Sequence, residues 1–243
     1  MHSISGNTRI FGILADPIHH VKTPQAINRL FESMGFDGVM VPFHVTPGSL
    51  GATLHGLRDI QNLDGFVVTV PHKTAVVDLC DELTVGAQQV GAVNVIRRTP
   101  EGRLIGGILD GDGFVEGLRA ANIALSGQSA YLAGAGGAAS AIAFALAKAG
   151  VSRLTIANRS AEKARSLLAR VAQAYPAVRV AVGNEVASGH GLVINGTSLG
   201  LRPGDALPLN TETLDAAQIV AEIIMEPAQT PLLAAAAARG CRT

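Results

Sequence analysis

Apolar and polar positions along this chain of 243 residues switch repeatedly between two patterns. Short, near-continuous apolar runs predict buried strands, and longer runs with an apolar stripe predict helices. In the first half the strand-like runs fall at 9–14, 39–45, 65–70, 92–97 and 104–109. Helical patterns fall at 24–34, 50–57, 79–90 (interrupted at Gly86) and 111–122. Thr23-Pro24 fits an N-cap followed by proline at the first helical position. Thr99-Pro100-Glu101-Gly102 is a turn signal joining the last two strands. In the second half strands are expected at 129–133, 153–157, 178–182, 192–195 and 219–224. Helices are expected at 138–149 and 161–174, with a terminal helix opened by Thr230-Pro231. Strands alternating with helices imply parallel sheets with right-handed crossovers. The alternation runs twice, about a joint at 124–128, so the fold class is α/β in two domains with a ligand cleft between them.

The most informative stretch is Tyr131-Leu132-Ala133-Gly134-Ala135-Gly136-Gly137-Ala138-Ala139-Ser140. A short strand runs into glycines and out into an alanine-rich helix. The spacing Gly134-x-Gly136-x-x-Ala139 fits the Ala-ended dinucleotide fingerprint. Gly134 permits a tight turn, Gly136 lets the backbone approach a pyrophosphate, and Ala139 keeps the helix close to the strand. Free N–H groups at the helix N-terminus would receive the phosphates. Gly-rich turns also occur in plain α/β folds, but here the strand before and the helix after are both in place. This half is read as a Rossmann-type dinucleotide-binding domain.

The residue after the next strand selects between cofactors. A carboxylate there would bind the ribose hydroxyls of NAD. The chain instead carries Ala157-Asn158-Arg159-Ser160, with Lys163 one turn on. Two cations and a hydroxyl suit a phosphate, so NADP is expected, with NAD possible. The plain alternative makes Arg159 and Lys163 solvated residues at a helix start, although cations there oppose the helix dipole.

Composition narrows the partners. Nineteen Lys and Arg balance nineteen Asp and Glu, and 48% of residues are hydrophobic. Zero net charge recommends neither nucleic acid nor an anionic membrane surface. No apolar run is long enough to span a bilayer, and the first residues lack a secretory pattern. Cys80 and Cys241 have neither disulfide density nor metal-type spacing, which suggests free thiols in the cytoplasm. His44, His55 and His190 have no partners at metal-like spacing, so no metal is expected. Oligomeric state is not readable from these residues.

In the first half, Lys73 follows a buried strand through Thr69-Val70-Pro71-His72, and Asp110 follows the strand at 104–109. Loops at strand C-termini are where α/β sheets bind ligands. A Lys–Asp pair can relay a proton to or from an alcohol, although a lone lysine there is more often simply solvated.

Several blocks occur in a fixed order: Asp16-Pro17-Ile18-His19-His20-Val21-Lys22-Thr23-Pro24, Gly65-Phe66-Val67-Val68-Thr69-Val70-Pro71-His72-Lys73, Gly91-Ala92-Val93-Asn94 and Asp110-Gly111-Asp112-Gly113-Phe114. They continue with the glycine fingerprint, Asn158-Arg159-Ser160, Asn195-Gly196-Thr197-Ser198-Leu199-Gly200 and Thr230-Pro231-Leu232-Leu233. Together they resemble the shikimate dehydrogenases, a family that includes quinate/shikimate and related paralogues. The resemblance implies a substrate-binding catalytic domain over 1–110 and a dinucleotide-binding domain over 111–243. It implies reversible hydride transfer between NADP(H) and a ring alcohol or ketone of a small cyclic hydroxy acid. It assigns the hydroxyl proton to Lys73 and Asp110, and whether the lysine takes that proton or polarises the oxygen stays open. Thr23, Thr69 and Asn94 would contact substrate. Gly134, Ala135, Gly136, Gly137, Ala138, Ala139, Asn158, Arg159, Ser160 and Lys163 would hold the cofactor, with Thr197, Ser198 and Ile223 beside the nicotinamide. The Thr197–Ser198 stretch would equally suit a plain turn after a strand.

The chain departs from the family pattern on the substrate side. Val21, Val67, Ile27, Ile108-Leu109 and Met225 stand where the family carries hydroxyl, amide, imidazole or phenol groups, and Asn28 is kept. The family's substrate-binding Gln lies in a later helix, and no residue up to Arg242-Thr243 is assigned that role. Lost hydrogen-bond partners weaken binding of a polyhydroxylated acid. A paralogue using a less hydroxylated acid is therefore expected, against an ordinary shikimate dehydrogenase with substitute contacts from His19, His20 or Lys22. Two further alternatives are a methylene-tetrahydrofolate dehydrogenase-like enzyme and a non-catalytic cofactor-binding sensor. The Asp110-Gly111-Asp112-Gly113-Phe114 block with Asn94 opposes the first, and retention of both Lys73 and Asp110 opposes the second.

Overall fold

The computed structural model describes residues 4–19 and 21–243. His20 therefore lies outside the described residues. The chain divides into two compact units, one ending at Leu109 and one spanning Asp110–Thr243.

The first unit is built on six strands: β1 (Arg9–Ala15), β2 (Gly38–His44), β3 (Leu63–Val68), β4 (Glu82–Leu83), β5 (Val95–Arg98) and β6 (Leu104–Gly107). Their order is β2-β1-β3-β5-β6-β4. The helices are α1 (Thr23–Met34), α2 (Leu50–Leu57) and α3 (Val85–Val90). Leu14, Leu54, Leu63, Phe66, Val68 and Ile96 are among the buried residues of its core.

The expected parallel sheet holds only in part. β2, β1 and β3 run parallel, but β5 is antiparallel to both β3 and β6. The turn at 99–102 accounts for the β5–β6 pair. Gly102 adopts φ +80° and its N–H donates to the Thr99 carbonyl, so β5 folds straight back as a hairpin.

Three other expectations shift. The strand at 65–70 ends at Val68, because Thr69 and Val70 lead into Pro71, which cannot donate to a ladder. The pattern at 79–90 is helical only over Val85–Val90, and Gly86 lies inside that helix rather than interrupting it. Pairing with β6 claims Glu82–Leu83 as a strand, and the Thr84 hydroxyl then caps the helix by accepting from the Ala87 N–H. Thr23 is the first residue of α1, not its N-cap. Lys22 holds the cap position with helical backbone angles, its carbonyl accepting the Ala26 N–H.

One side chain ties α1 to the sheet. Asn28 Nδ2 donates to the Met40 carbonyl at 3.0 Å, and Asn28 Oδ1 accepts the Met40 N–H at 2.7 Å. Both bonds go to the outward edge of β2.

The second unit follows the expected pattern closely. β7 (Ser129–Ala133), β8 (Arg153–Ala157), β9 (Arg179–Val182), β10 (Leu192–Asn195) and β11 (Ile219–Glu222) form one parallel sheet in the order β11-β10-β7-β8-β9. The helices are α4 (Asp110–Ala120), α5 (Gly137–Lys148), α6 (Ala161–Ala174) and α7 (Pro231–Ala238). The expected joint at 124–128 lies within this unit, as the connection from α4 to β7. Every residue of α5 from Ala139 to Ala147 is buried, which its alanines make possible by allowing neighbours close. At Gly111, α4 rests so near α5 that an added Cβ would overlap the Ala141 carbonyl. Thr230 caps α7 as expected, accepting from the Leu233 N–H. Among the described residues no helix is long and apolar enough to cross a membrane.

A buried polar cluster lies on the other side of this sheet. His190 donates from Nδ1 toward the Ala187 and Ser188 carbonyls, and its Nε2 accepts from the Thr155 hydroxyl at 2.8 Å. Gln218 ties the same loop by donating to the Ala187 and His190 carbonyls. The ring packs edge-on against Tyr131. Burial, with Arg153 nearby, pushes the His190 pKa below its usual value.

Two outcomes follow. The unfolded chain protonates His190 near pH 6.5, and the folded chain only at lower pH, so stability present above about pH 6.5 declines as pH falls below it. Denaturant melts between pH 7.5 and 5 should show this decline, and His190→Asn should flatten it. Asn28→Ala, which strips both bonds from Met40, should cost about 1–3 kcal/mol of stability in the same melts.

Candidate functional site

The order of the second sheet creates its site. From β7 the chain moves outward through β8 and β9, then returns to β10 on the other side of β7. Ligands bind in the crevice at the carboxyl ends of the strands where the order reverses. Here that point brings together the residues after β7 and those after β10.

The backbone is shaped for a close approach there. Gly134 adopts φ +112°, and a Cβ on it would lie 3.1 Å from the Gly196 carbonyl and from Thr197 Cγ2. A Cβ on Gly196 would lie 2.9 Å from Ala139 Cβ and 3.0 Å from Leu132 Cδ1. Gly136, the N-cap of α5, is the opposite case, with nothing within 4 Å of the added carbon. Two glycines thus let the loops pack, and the third leaves space in front of the helix. Gly137 and Ala138 are partly exposed in the first turn of α5, where N–H groups lack intrahelical acceptors and no acidic residue intervenes. Ala135 is partly exposed beside them and Ala139 is buried against Gly196. This cradle fits a dinucleotide pyrophosphate.

At the end of β8, Asn158 donates from Nδ2 to the Ser160 carbonyl at 3.0 Å, and Ser160 caps α6 by accepting the Lys163 N–H. Both side chains therefore shape the turn, and Ser160 keeps its hydroxyl proton for a ligand. Arg159 and Lys163 are exposed at this helix start. Neither side chain makes a hydrogen bond or ion pair among the described residues, which leaves both cations available to a phosphate.

After β10, Asn195 organises the turn. Its Oδ1 accepts from the Thr197 N–H and hydroxyl at 3.0 and 2.7 Å, and its Nδ2 donates to the Leu199 carbonyl and to Glu222 Oε2 at 2.9 and 3.2 Å. The Thr197 hydroxyl in turn accepts the Leu199 N–H. Thr197 is therefore engaged within the turn, while Ser198 is exposed. Asp205 closes the following loop, its carboxylate accepting from the Gly200 and Arg202 N–H groups, which holds its pKa below the usual carboxylate range. The strand expected at 219–224 stops at Glu222. Ile223 is partly exposed just past it, its N–H donating to the Asn195 carbonyl. Glu222 was not expected here; the signal was the acid closing the apolar run Ile219–Val220–Ala221.

The first unit positions its candidates by backbone anchors. His72 is buried at 1% exposure, and its ring Nε2 donates to the Val45 carbonyl at 2.7 Å. Lys73 comes next, half-buried, with its carbonyl accepting the Val93 N–H. Thr69 is half-buried at the end of β3, its N–H donating to Leu14. Asn94 is buried, and its Oδ1 accepts the Leu109 N–H at 2.8 Å. Asn94 thus fixes the residue just before Asp110, the first residue of α4. Thr23 is half-buried at the start of α1. A cavity of about 350 Å³ in this unit is lined by Phe11, Met40, Gly65, Val67, Val95 and Arg97 among others. Val67 reaches it, but Thr23, Thr69, Lys73 and Asn94 do not line it. Among the described residues no group of three His, Cys, Asp or Glu is placed to hold a metal.

Comparison with known proteins gives the family of the chain. Residues 13–96 match the shikimate dehydrogenase substrate binding domain, and residues 118–199 match shikimate / quinate 5-dehydrogenase. The shikimate dehydrogenase (NADP(+)) of Lysinibacillus sphaericus is 38% identical over 232 residues, 95% of this chain and 83% of that protein. Shikimate 5-dehydrogenase from Listeria monocytogenes, solved with shikimate and NAD, superposes with TM-score 0.89 at 30% identity, covering 100% of this chain and 88% of that one. The 5-ketofructose reductase of a Gluconobacter strain superposes with TM-score 0.87 at 31% identity, covering 98% and 87%. With both halves matched in order and the relatives covered over most of their length, this chain is an oxidoreductase belonging to the shikimate dehydrogenase family.

Proposed function

We propose that this chain transfers a hydride reversibly between NADP(H) and the ring alcohol or ketone of a shikimate-type cyclic hydroxy acid. The observation that carries the cofactor half is the cradle of Gly134, Gly136 and Gly196 at the switch point, with its open space before α5. The exposed cations Arg159 and Lys163, with Asn158 rather than a carboxylate at the end of β8, favour the phosphate of NADP over NAD. The L. sphaericus relative, named for NADP(+), supports the same choice. The unit ending at Leu109 takes the acid and the unit from Asp110 takes the cofactor.

When bound, the nicotinamide accepts or supplies the hydride. The chain's own residues handle everything else. Lys73 and Asp110 give or receive the hydroxyl proton, and Lys73 also polarises the oxygen. Thr69 and Asn94 orient the acid from the ends of β3 and β5, with Asn94 also setting the path into Asp110. Thr23 contributes a hydroxyl from the start of α1. Thr197, Ser198 and Ile223 pack beside the nicotinamide. The enzyme works in the cytoplasm, consistent with Cys80 and Cys241 both being free thiols.

A second reading concerns the acid. Val21, Val67, Ile108 and Met225 replace polar groups of the family pattern, and Met225 is 74% exposed just past Ile223. Fewer polar partners for substrate hydroxyls favour a less hydroxylated ring acid. The Gluconobacter reductase, named for a ketofructose, is a relative of the same fold with a different named substrate.

The assay follows reduced nicotinamide absorbance while crossing NADP and NAD with shikimate, quinate and less hydroxylated ring acids. NADP-dependent turnover of shikimate is the expected result for the first reading, and a preference for a simpler acid for the second. Cofactor binding without turnover of any acid would defeat both. Lys73→Ala should lower kcat/KM by about 10²–10⁴ with an unchanged melting temperature and unchanged NADPH affinity.

A further inference from the structure

Glu222 ends β11 beside Asn195 of β10, the two residues being register partners. Its Oε2 accepts from Asn195 Nδ2. Its Oε1 is buried and has no hydrogen-bond partner among the described residues. No salt bridge to Glu222 occurs among those residues either. A buried carboxylate short of donors is costly, and a neutral side chain would hold Asn195 as well. Stability therefore gives no reason for a charge at this position.

The surroundings supply one. Asn195 is fully buried and carries the turn through Thr197 and Leu199. Ile223 is the next residue in the chain. The carboxylate thus lies beneath the turn proposed to meet the nicotinamide, one oxygen buried on a partly exposed residue, where a charge acts over several ångströms. A nicotinamide ring is positively charged when oxidised and neutral when reduced. We infer that the Glu222 carboxylate biases this site toward the oxidised cofactor, while its bond to Asn195 keeps the 195–199 turn in shape. The inference rests on the proposal that NADP binds at the glycine cradle.

The test titrates the full chain, wild type and Glu222→Gln, separately with NADP+ and NADPH, by calorimetry and by NADPH fluorescence. Glutamine keeps an acceptor for Asn195 and removes the charge. NADP+ should bind about three- to tenfold more weakly to the variant, the range expected for unit charges interacting through protein interior. NADPH affinity should change less than twofold. An unchanged ratio of the two affinities, or equal weakening of both, would overturn the inference and leave Glu222 a purely structural residue. Wild-type protein that binds neither form would instead remove the cofactor assignment, and this inference with it. Should Glu222→Gln not fold, Glu222→Asp and Glu222→Asn make the same comparison at a shorter reach. Asp should hold the wild-type ratio and Asn should lose it.

Discussion

The meeting of two parallel strand ends, after β7 and after β10, is the constraint on which the second unit depends. Gly134 and Gly196 must pass within van der Waals range of each other, and neither position has room for a side chain. Both glycines keep their ladder bonds, to Ala157 and Ala133, and beyond them Asn195 supplies partners to the turn with one amide. A single buried Asn replaces, by side-chain bonds, what the sheet would have provided by continuing. The glycine loop after β7, the 195–199 turn and the end of β11 are therefore joined by direct contacts and hydrogen bonds.

The first unit solves a similar problem with different means. Its key side chains leave strands whose ends are pinned by buried polar groups, His72 on Val45 and Asn94 on Leu109. Neither anchor has to touch substrate to matter. Both hold short, exposed segments in place so that Lys73 and Asp110 start from fixed backbone positions.

Much of this was legible in the residues because the second unit obeys local rules. β7, β8, β10 and α6 lie where apolar periodicity and capping residues put them, since Ser160 and strand burial on both faces leave strong local marks. The first unit was harder. The antiparallel β5–β6 pair is made by a four-residue turn, but the direction of β5 against β3 leaves no mark, because the apolar pattern of a buried strand carries no direction. The stretch at 79–90 misled for a related reason. Glu82 and Leu83 form a strand only because β6 lies beside them, and no local propensity records that neighbour. Glycine spacing revealed the cradle, whereas Glu222 was missed, because a lone acid at a strand end looks like any solvated terminus until its atoms are found buried.

The clamp from Asn28 to Met40 has a consequence beyond holding α1 to the sheet. β2 is an outer strand, and an outer strand with unmatched amides is a template on which another chain can polymerise. By occupying both the N–H and the carbonyl of Met40, Asn28 interrupts the row of vacant donors and acceptors at its middle. An incoming strand would find no continuous register to copy. The same helix residue that fastens the fold also guards it against self-templated aggregation, a safeguard that matters most at the concentrations at which metabolic enzymes accumulate.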